Sequence, residues 1–219
     1  MYFISHPIAS LNHLAARLLT DQFSFLIAIV FFVFLSLNYK NRFWQSIDES
    51  VSNWAINTKN SFIKNRAEDF AIFGNAMFHI LYSIILSVIF FTARHKFSLV
   101  IVILFTLIFS WGFNRFLKII YKRTRPGHLD AGIRRRMSFC FPSGHIMASI
   151  PIYFFSGVLL QGLIPILPWY IIALTITFFV IMSRIYLNHH YFTDVLGGIA
   201  MGVFCLHVSI WFYFVTGMM

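Results

Sequence analysis

Two histidines, an aspartate and three cations stand beside serines, glycines and prolines at the edges of long apolar runs. The densest group is SRIYLNHHYFTD, residues 183–194. His190 and Asp194 are four apart, so on a helical turn the carboxylate accepts a hydrogen bond from the imidazole. Such a bond fixes the tautomer and leaves the other ring nitrogen free to attack an electrophile or to coordinate. His189 competes for that role but, five residues from Asp194, is worse placed to pair. Arg184 lies six residues before His190. A second group, CFPSGHIMASI at 140–150, sets Ser143, Gly144 and His145 where the chain turns apolar. The free backbone N–H groups and positive dipole end of a helix starting there favour an anion. The third, KIIYKRTRP, carries Lys118 and Arg125 seven apart. They share a face if the helix persists to Arg125, with Pro126 helping to stop it.

Each group also has a plain reading. Lys118 and Arg125 suit the snorkelling end of a helix meeting lipid phosphates. Ser143 suits a helix cap with Pro142 and Gly144 in a turn, and His190 with Asp194 suits another cap. Taken together they suit something sharper. Cations gathered around a histidine nucleophile serve phosphoryl transfer, where catalysis is mostly positioning and charge stabilisation.

The elements that must position them are membrane helices. Of 219 residues, 59% are hydrophobic, 28 are phenylalanine and only 11% are charged, against about 25% charged in soluble domains. Lipid is the expected solvent. A span needs about 20 mostly apolar residues, and six candidates appear near 22–39, 73–93, 97–120, 145–162, 168–187 and 192 to the C-terminus. No Asp, Glu, Lys or Arg occurs from 137 to 183, and Gly162, Pro165 and Pro168 divide that run in two. The fold expected is all-α: a six-transmembrane-helix bundle forming one integral-membrane domain over 1–219. Residues 40–72 mix charges with Ile47, Val51, Trp54, Phe62 and Ile63, which suits either a helix lying in the interface or a solvated loop. Six spans put the segments 40–72, 118–145 and 184–194 on one membrane face by parity, so all three chemical groups meet there.

The formal charge of +10 sits between apolar segments, which fits anionic headgroups better than nucleic acid. Cys140, in a loop, and Cys205, about 16 Å deeper than Asp194 on a helix, are not expected to pair. The N-terminal stretch does not read as a cleaved signal peptide.

The three groups resemble the type 2 phosphatidic-acid phosphatase superfamily, whose signature is K-x6-RP, then PSGH, then SR-x5-H-x3-D. Here these are Lys118 to Arg125-Pro126, Pro142 to His145, and Ser183-Arg184 to His190 and Asp194, within residues 118–194. Ile181 stands where many members carry glycine, a difference of helix packing. The resemblance implies a two-step displacement. His190 attacks phosphorus, Asp194 orients it, and His145 is general acid and then base. Lys118, Arg125, Arg184, the Ser143 hydroxyl and the Gly144 amide bind the phosphoryl oxygens. It implies no metal or other cofactor, and the sequence offers no HExxH, carboxylate cluster or CxxC.

The expected substrate is a membrane lipid phosphate or pyrophosphate: undecaprenyl pyrophosphate, phosphatidylglycerol phosphate, phosphatidic acid or a lipid A phosphate. Lipid-to-lipid phosphotransfer on the same residues and non-enzymatic binding or transport of anionic lipid are the alternatives. Arg134–Arg136 either bind a second phosphate or touch the bilayer surface. Arg115 reads as a snorkelling helix end and His207 as a hydrogen-bonded packing residue. Lys/Arg counts place the chemical face in the cytoplasm. The resemblance places it on the periplasmic or outer face of the bacterial inner membrane, and that is the expectation adopted.

Overall fold

The computed structural model describes residues 22–58, 60–126 and 139–217. They form eight helices with no strand among the described residues: α1 Gln22–Asn38, α2 Arg42–Asn57, α3 Ser61–Phe73, α4 Ala76–Arg94, α5 Phe97–Tyr121, α6 Gly144–Leu163, α7 Trp169–Tyr186 and α8 Phe192–Gly217. Five of them, α4 to α8, are long and apolar enough to cross a bilayer. The described part of α1 is 17 residues and passes that test only together with α2, to which it is bent by 92°. The expected six spans therefore stand as five, or six with α1.

The segment between the first two spans is two helices, not a solvated loop. The right-angle bend turns α2 away from the direction of α1. Phe43, Trp54, Ile56, Phe62 and Ile63 are exposed on α2 and α3, beside polar faces, as interfacial helices require. Asn60 caps α3 by accepting from the Phe62 and Ile63 amides at 3.0 and 3.2 Å. Tyr186 at the end of α7 donates to the Thr58 carbonyl at 2.7 Å, which ties the α2–α3 turn to a span.

Helix α6 is apolar all round and buried on nearly every side, surrounded by α4, α5, α7 and α8. Between membrane helices apolar burial supplies no drive, because lipid tails are as apolar as leucine; close packing and polar contacts do the work. Gly198 shows the close packing: a Cβ there would lie 2.9 Å from the Ser143 carbonyl oxygen. Polar contacts join α6 to α4 and α3. Tyr82 meets Ser156 at 2.8 Å, His79 meets Ser149 at 3.3 Å, and Tyr153 donates to the Phe73 carbonyl. Ile27, Leu81, Val88, Ile108, Phe178 and Trp211 are exposed on the outside, where lipid lies. His207 bonds Ser24 (3.0 Å) and the Val203 carbonyl (2.9 Å), and both cysteines are free and buried, as the sequence implies.

Candidate active site

The site is built on the start of α8. His190 and Asp194 are not on one helix, contrary to the simplest reading of their spacing, because α8 begins at Phe192. A turn replaces the helix: the Asp194 amide donates to the Tyr191 carbonyl (3.0 Å), and Asp194 Oδ2 accepts from the Tyr191 amide (3.0 Å). That geometry holds His190 Nδ1 3.5 Å from Asp194 Oδ2, the outer edge of hydrogen-bonding distance. Both residues are buried. Burial pushes the His190 pKa down to about 4; Asp194 opposes that shift, while Arg125 and Lys118 add to it. The ring is neutral at pH 7, the state a nucleophile needs.

The Pro142–His145 stretch docks onto the same helix start, through the Ser143 amide donating to the Asp194 carbonyl at 3.0 Å. The Phe141–Pro142 peptide is cis. Asn114 of α5, buried, donates to the Pro142 carbonyl at 3.1 Å, and Gly144 lies against it so closely that a Cβ would sit 2.6 Å from its Oδ1. Ser143 is at the N-cap of α6 but makes no side-chain cap bond. Its buried hydroxyl has no hydrogen-bond partner, and neither ring nitrogen of His190 has one, Nδ1 making only the 3.5 Å approach to Asp194. Buried polar atoms are normally paired, and the Ser143 hydroxyl and His190 Nε2, left over within one site, are atoms available to a ligand. His145, on the first turn of α6, packs against Gly74, where a Cβ would lie 3.0 Å from its ring carbon Cδ2.

The cations arrive from two helix ends and one loop. Lys118 is in the last turn of α5 and Arg184, buried, in the last turn of α7. Arg125 does not share a helical face with Lys118, because α5 stops at Tyr121 with Lys122 left-handed at φ 47°. Pro126 disfavours helix at Arg125, and the chain carries Arg125 across instead, its Nη1 donating to the His189 carbonyl at 3.1 Å. Lys118 and Arg125 act electrostatically on the His190 ring; Arg184, His190 and Lys118 act on His145. All eight residues singled out by the signature thus border one region. Arg134–Arg136 lie outside the described residues. Among the described residues no group of three or more His, Cys, Asp or Glu is arranged to hold a metal.

Sequence reasoning missed the layer behind this one. Arg123, between the two signature cations, donates from Nη1 to Asp194 Oδ1 (2.7 Å) and Thr193 Oγ1 (2.6 Å), and from Nη2 to Asp48 Oδ2 (2.6 Å). Its guanidinium lies over the rings of Tyr39 (4.6 Å) and Tyr191 (4.3 Å). Burial works against its charge, but Asp194 and Asp48 outweigh burial and hold its pKa above the ordinary value. Asp48 is on α2, 2% exposed, and no local pattern marks it among the acids of an amphipathic segment.

Residues 99–217 match the family model described as the PAP2 superfamily. Phosphatidylglycerophosphatase B of Bacillus subtilis (strain 168) is 30% identical over 184 residues, 80% of this chain and 87% of that protein. The crystal structure of a transmembrane PAP2-type phosphatidylglycerolphosphate phosphatase from Bacillus subtilis superposes with a TM-score of 0.78 at 27% identity, covering 85% of this chain and 94% of the other. The described helices, the signature residues brought to one face, and these likenesses agree: the chain belongs to the PAP2 superfamily and is a membrane-embedded phosphatase.

Proposed function

We propose that the chain hydrolyses the terminal phosphomonoester of a phosphatidylglycerol-phosphate-type lipid by way of a phosphohistidine at His190. The observation that carries this reading is the state of one ring. His190 is buried, turned toward Asp194 through Nδ1, unpaired at Nε2, and under the charges of Lys118 and Arg125. The lipid is chosen because the relatives bear that name. A cleft of about 220 Å³ between α4, α6 and α7, lined by Phe78, Tyr82, Tyr153, Leu160 and Trp169, favours a substrate with an apolar chain. It begins at Phe73, next to the Gly74 that packs on His145.

In the first step the Nε2 lone pair attacks phosphorus and the P–O ester bond breaks. His145 gives its proton to the departing lipid oxygen, while Asp194 accepts from Nδ1–H and stabilises the positive ring. In the second, His145 takes a proton from water, the hydroxide attacks phosphorus, and the P–N bond breaks to release phosphate and neutral His190. Lys118, Arg125 and Arg184 hold the phosphoryl oxygens with the Ser143 hydroxyl and the Gly144 amide. Arg184 uses its Nε on Ser183 Oγ (3.3 Å), which leaves the end of its fork for the anion. The positive charge at phosphorus comes from these side chains without a metal. The site faces the outside of the bacterial cytoplasmic membrane.

A phosphate-release panel over phosphatidylglycerol phosphate, phosphatidic acid, undecaprenyl pyrophosphate and a lipid A phosphate tests the reading. Phosphatidylglycerol phosphate should lead, activity should survive EDTA, and radiolabelled phosphate should be trapped on the wild type but not on His190→Ala. Turnover retained by His190→Ala removes the nucleophile. Radiolabel recovered in a second lipid and not as free phosphate makes the protein a phosphotransferase.

A further inference from the structure

We propose that Asp48 and Arg123 are a positioning pair for Asp194, which makes the interfacial helix α2 part of the catalytic apparatus. The inference rests on His190 being the nucleophile and goes beyond that reading by assigning residues outside the signature.

Three observations converge. First, the contacts are complete. Asp48 accepts from Arg123 Nη2 (2.6 Å), the Thr193 hydroxyl (2.7 Å) and the Thr193 amide (2.9 Å), so a carboxylate on α2 caps the start of α8 from outside. Arg123 Nη1 then holds Asp194 Oδ1 at 2.7 Å, which leaves Oδ2 facing His190. Second, the guanidinium is clamped on both faces by Tyr39 and Tyr191. An arginine so held is a fixed fork, suited to aligning two carboxylates and not interchangeable with lysine. Third, the charges have a chemical consequence. Arg123 alone beside Asp194 makes a neutral pair; with Asp48 the triad carries one net negative charge. His190 becomes positive when Nε2 bonds phosphorus, and a net negative triad behind Nδ1 stabilises that charge where a neutral pair does not. A buried ionic group of this kind is poor value for stability alone, because apolar residues of similar volume commonly serve as well.

The test is a double-mutant cycle on the full-length enzyme in mixed micelles, read as kcat, KM and the rate of phosphoenzyme formation. Asp48→Asn should lower kcat and phosphoenzyme formation together by about 10- to 100-fold, the size of an outer-layer effect, with KM within about two-fold because none of the three residues touches substrate. In the Asp194→Asn background the same change should cost several-fold less than in wild type, since the pair then has no carboxylate to hold and only its through-space charge on His190 is left. Asp48→Glu, which keeps the charge, should recover most of the rate. Wild-type turnover by folded Asp48→Asn overturns the inference; so does an undiminished loss in the Asp194→Asn background. If Asp48→Asn does not accumulate, Arg123→Lys decides: lost kcat supports the pair, and wild-type turnover overturns it. His190→Ala is assayed alongside. Its retained activity sinks the nucleophile, whereas an inactive His190→Ala with a wild-type Asp48→Asn sinks only the positioning pair.

Discussion

Three groups share the Asp194 carboxylate: the Arg123 fork on Oδ1, and the Tyr191 amide and His190 ring on Oδ2. That partition is the residue-scale logic of the site, because a carboxylate fixed on one side presents the other in a single direction. In the proposed mechanism Lys118, Arg125 and Arg184 act at the substrate end. Each, changed to alanine, should lower kcat by about 100-fold or more, about 3 kcal/mol of lost preorganised charge, in the phosphate-release assay. Losses below ten-fold would assign that cation to lipid contact. His190 also imposes a pH dependence on stability. Its ordinary pKa is 6.5 and burial lowers it to about 4 in the fold, so on acidification the unfolded chain takes up the proton first. Stability is therefore unaffected above about pH 6.5, falls between about 6.5 and 4, and loses up to about 3 kcal/mol from this group. The melting temperature in detergent should drop across that window more steeply for wild type than for His190→Gln, and equal slopes would contradict the buried neutral ring.

At the scale of elements, helix ends do the positioning. The start of α8 holds Asp194, the start of α6 holds Ser143 and His145, and the ends of α5 and α7 hold Lys118 and Arg184. Their relative placement depends on how closely α8 approaches α6. Gly198→Ala would push a Cβ to 2.9 Å from the Ser143 carbonyl oxygen, an overpacked contact worth about 1–3 kcal/mol of stability. It should also displace the Ser143 amide from the Asp194 carbonyl and reduce kcat. Gly112→Ala on α5 is the matched control, since a Cβ there meets nothing within 4 Å, and its activity should be unchanged. Equal behaviour of the two variants, measured by melting and turnover, would refute the argument from close approach.

At the scale of the whole molecule, one face collects the chemistry. Arg123 reaches Asp48, Arg125 reaches the His189 carbonyl, Tyr186 reaches the Thr58 carbonyl, and Ser143 reaches the Asp194 carbonyl. Which side of the membrane that face meets is decided by labelling. Ser61→Cys, at the start of the exposed α3, should react with an impermeant maleimide in whole cells, while the buried Cys140 and Cys205 stay silent. Reaction only in inverted vesicles would put the site in the cytoplasm. Much of this was open to reading beforehand. Apolar run lengths such as 97–120 mark spans because a bilayer leaves the backbone few other states, and Lys118, His145, Arg184 and His190 stand out as polar groups at apolar boundaries. The left-handed Lys122 and the turn at Tyr191 were not legible, because local spacing suited a continuous helix equally well and tertiary contacts chose otherwise. Nor was Asp48, 75 residues from Arg123 and 145 from Thr193. The sequence by itself determined that this is a membrane protein with its chemistry on one face, since hydropathy and parity are properties of the chain alone. Only the tertiary structure decided which carboxylate stands behind which cation, since that follows from helix packing distances and bends that no run of residues encodes locally.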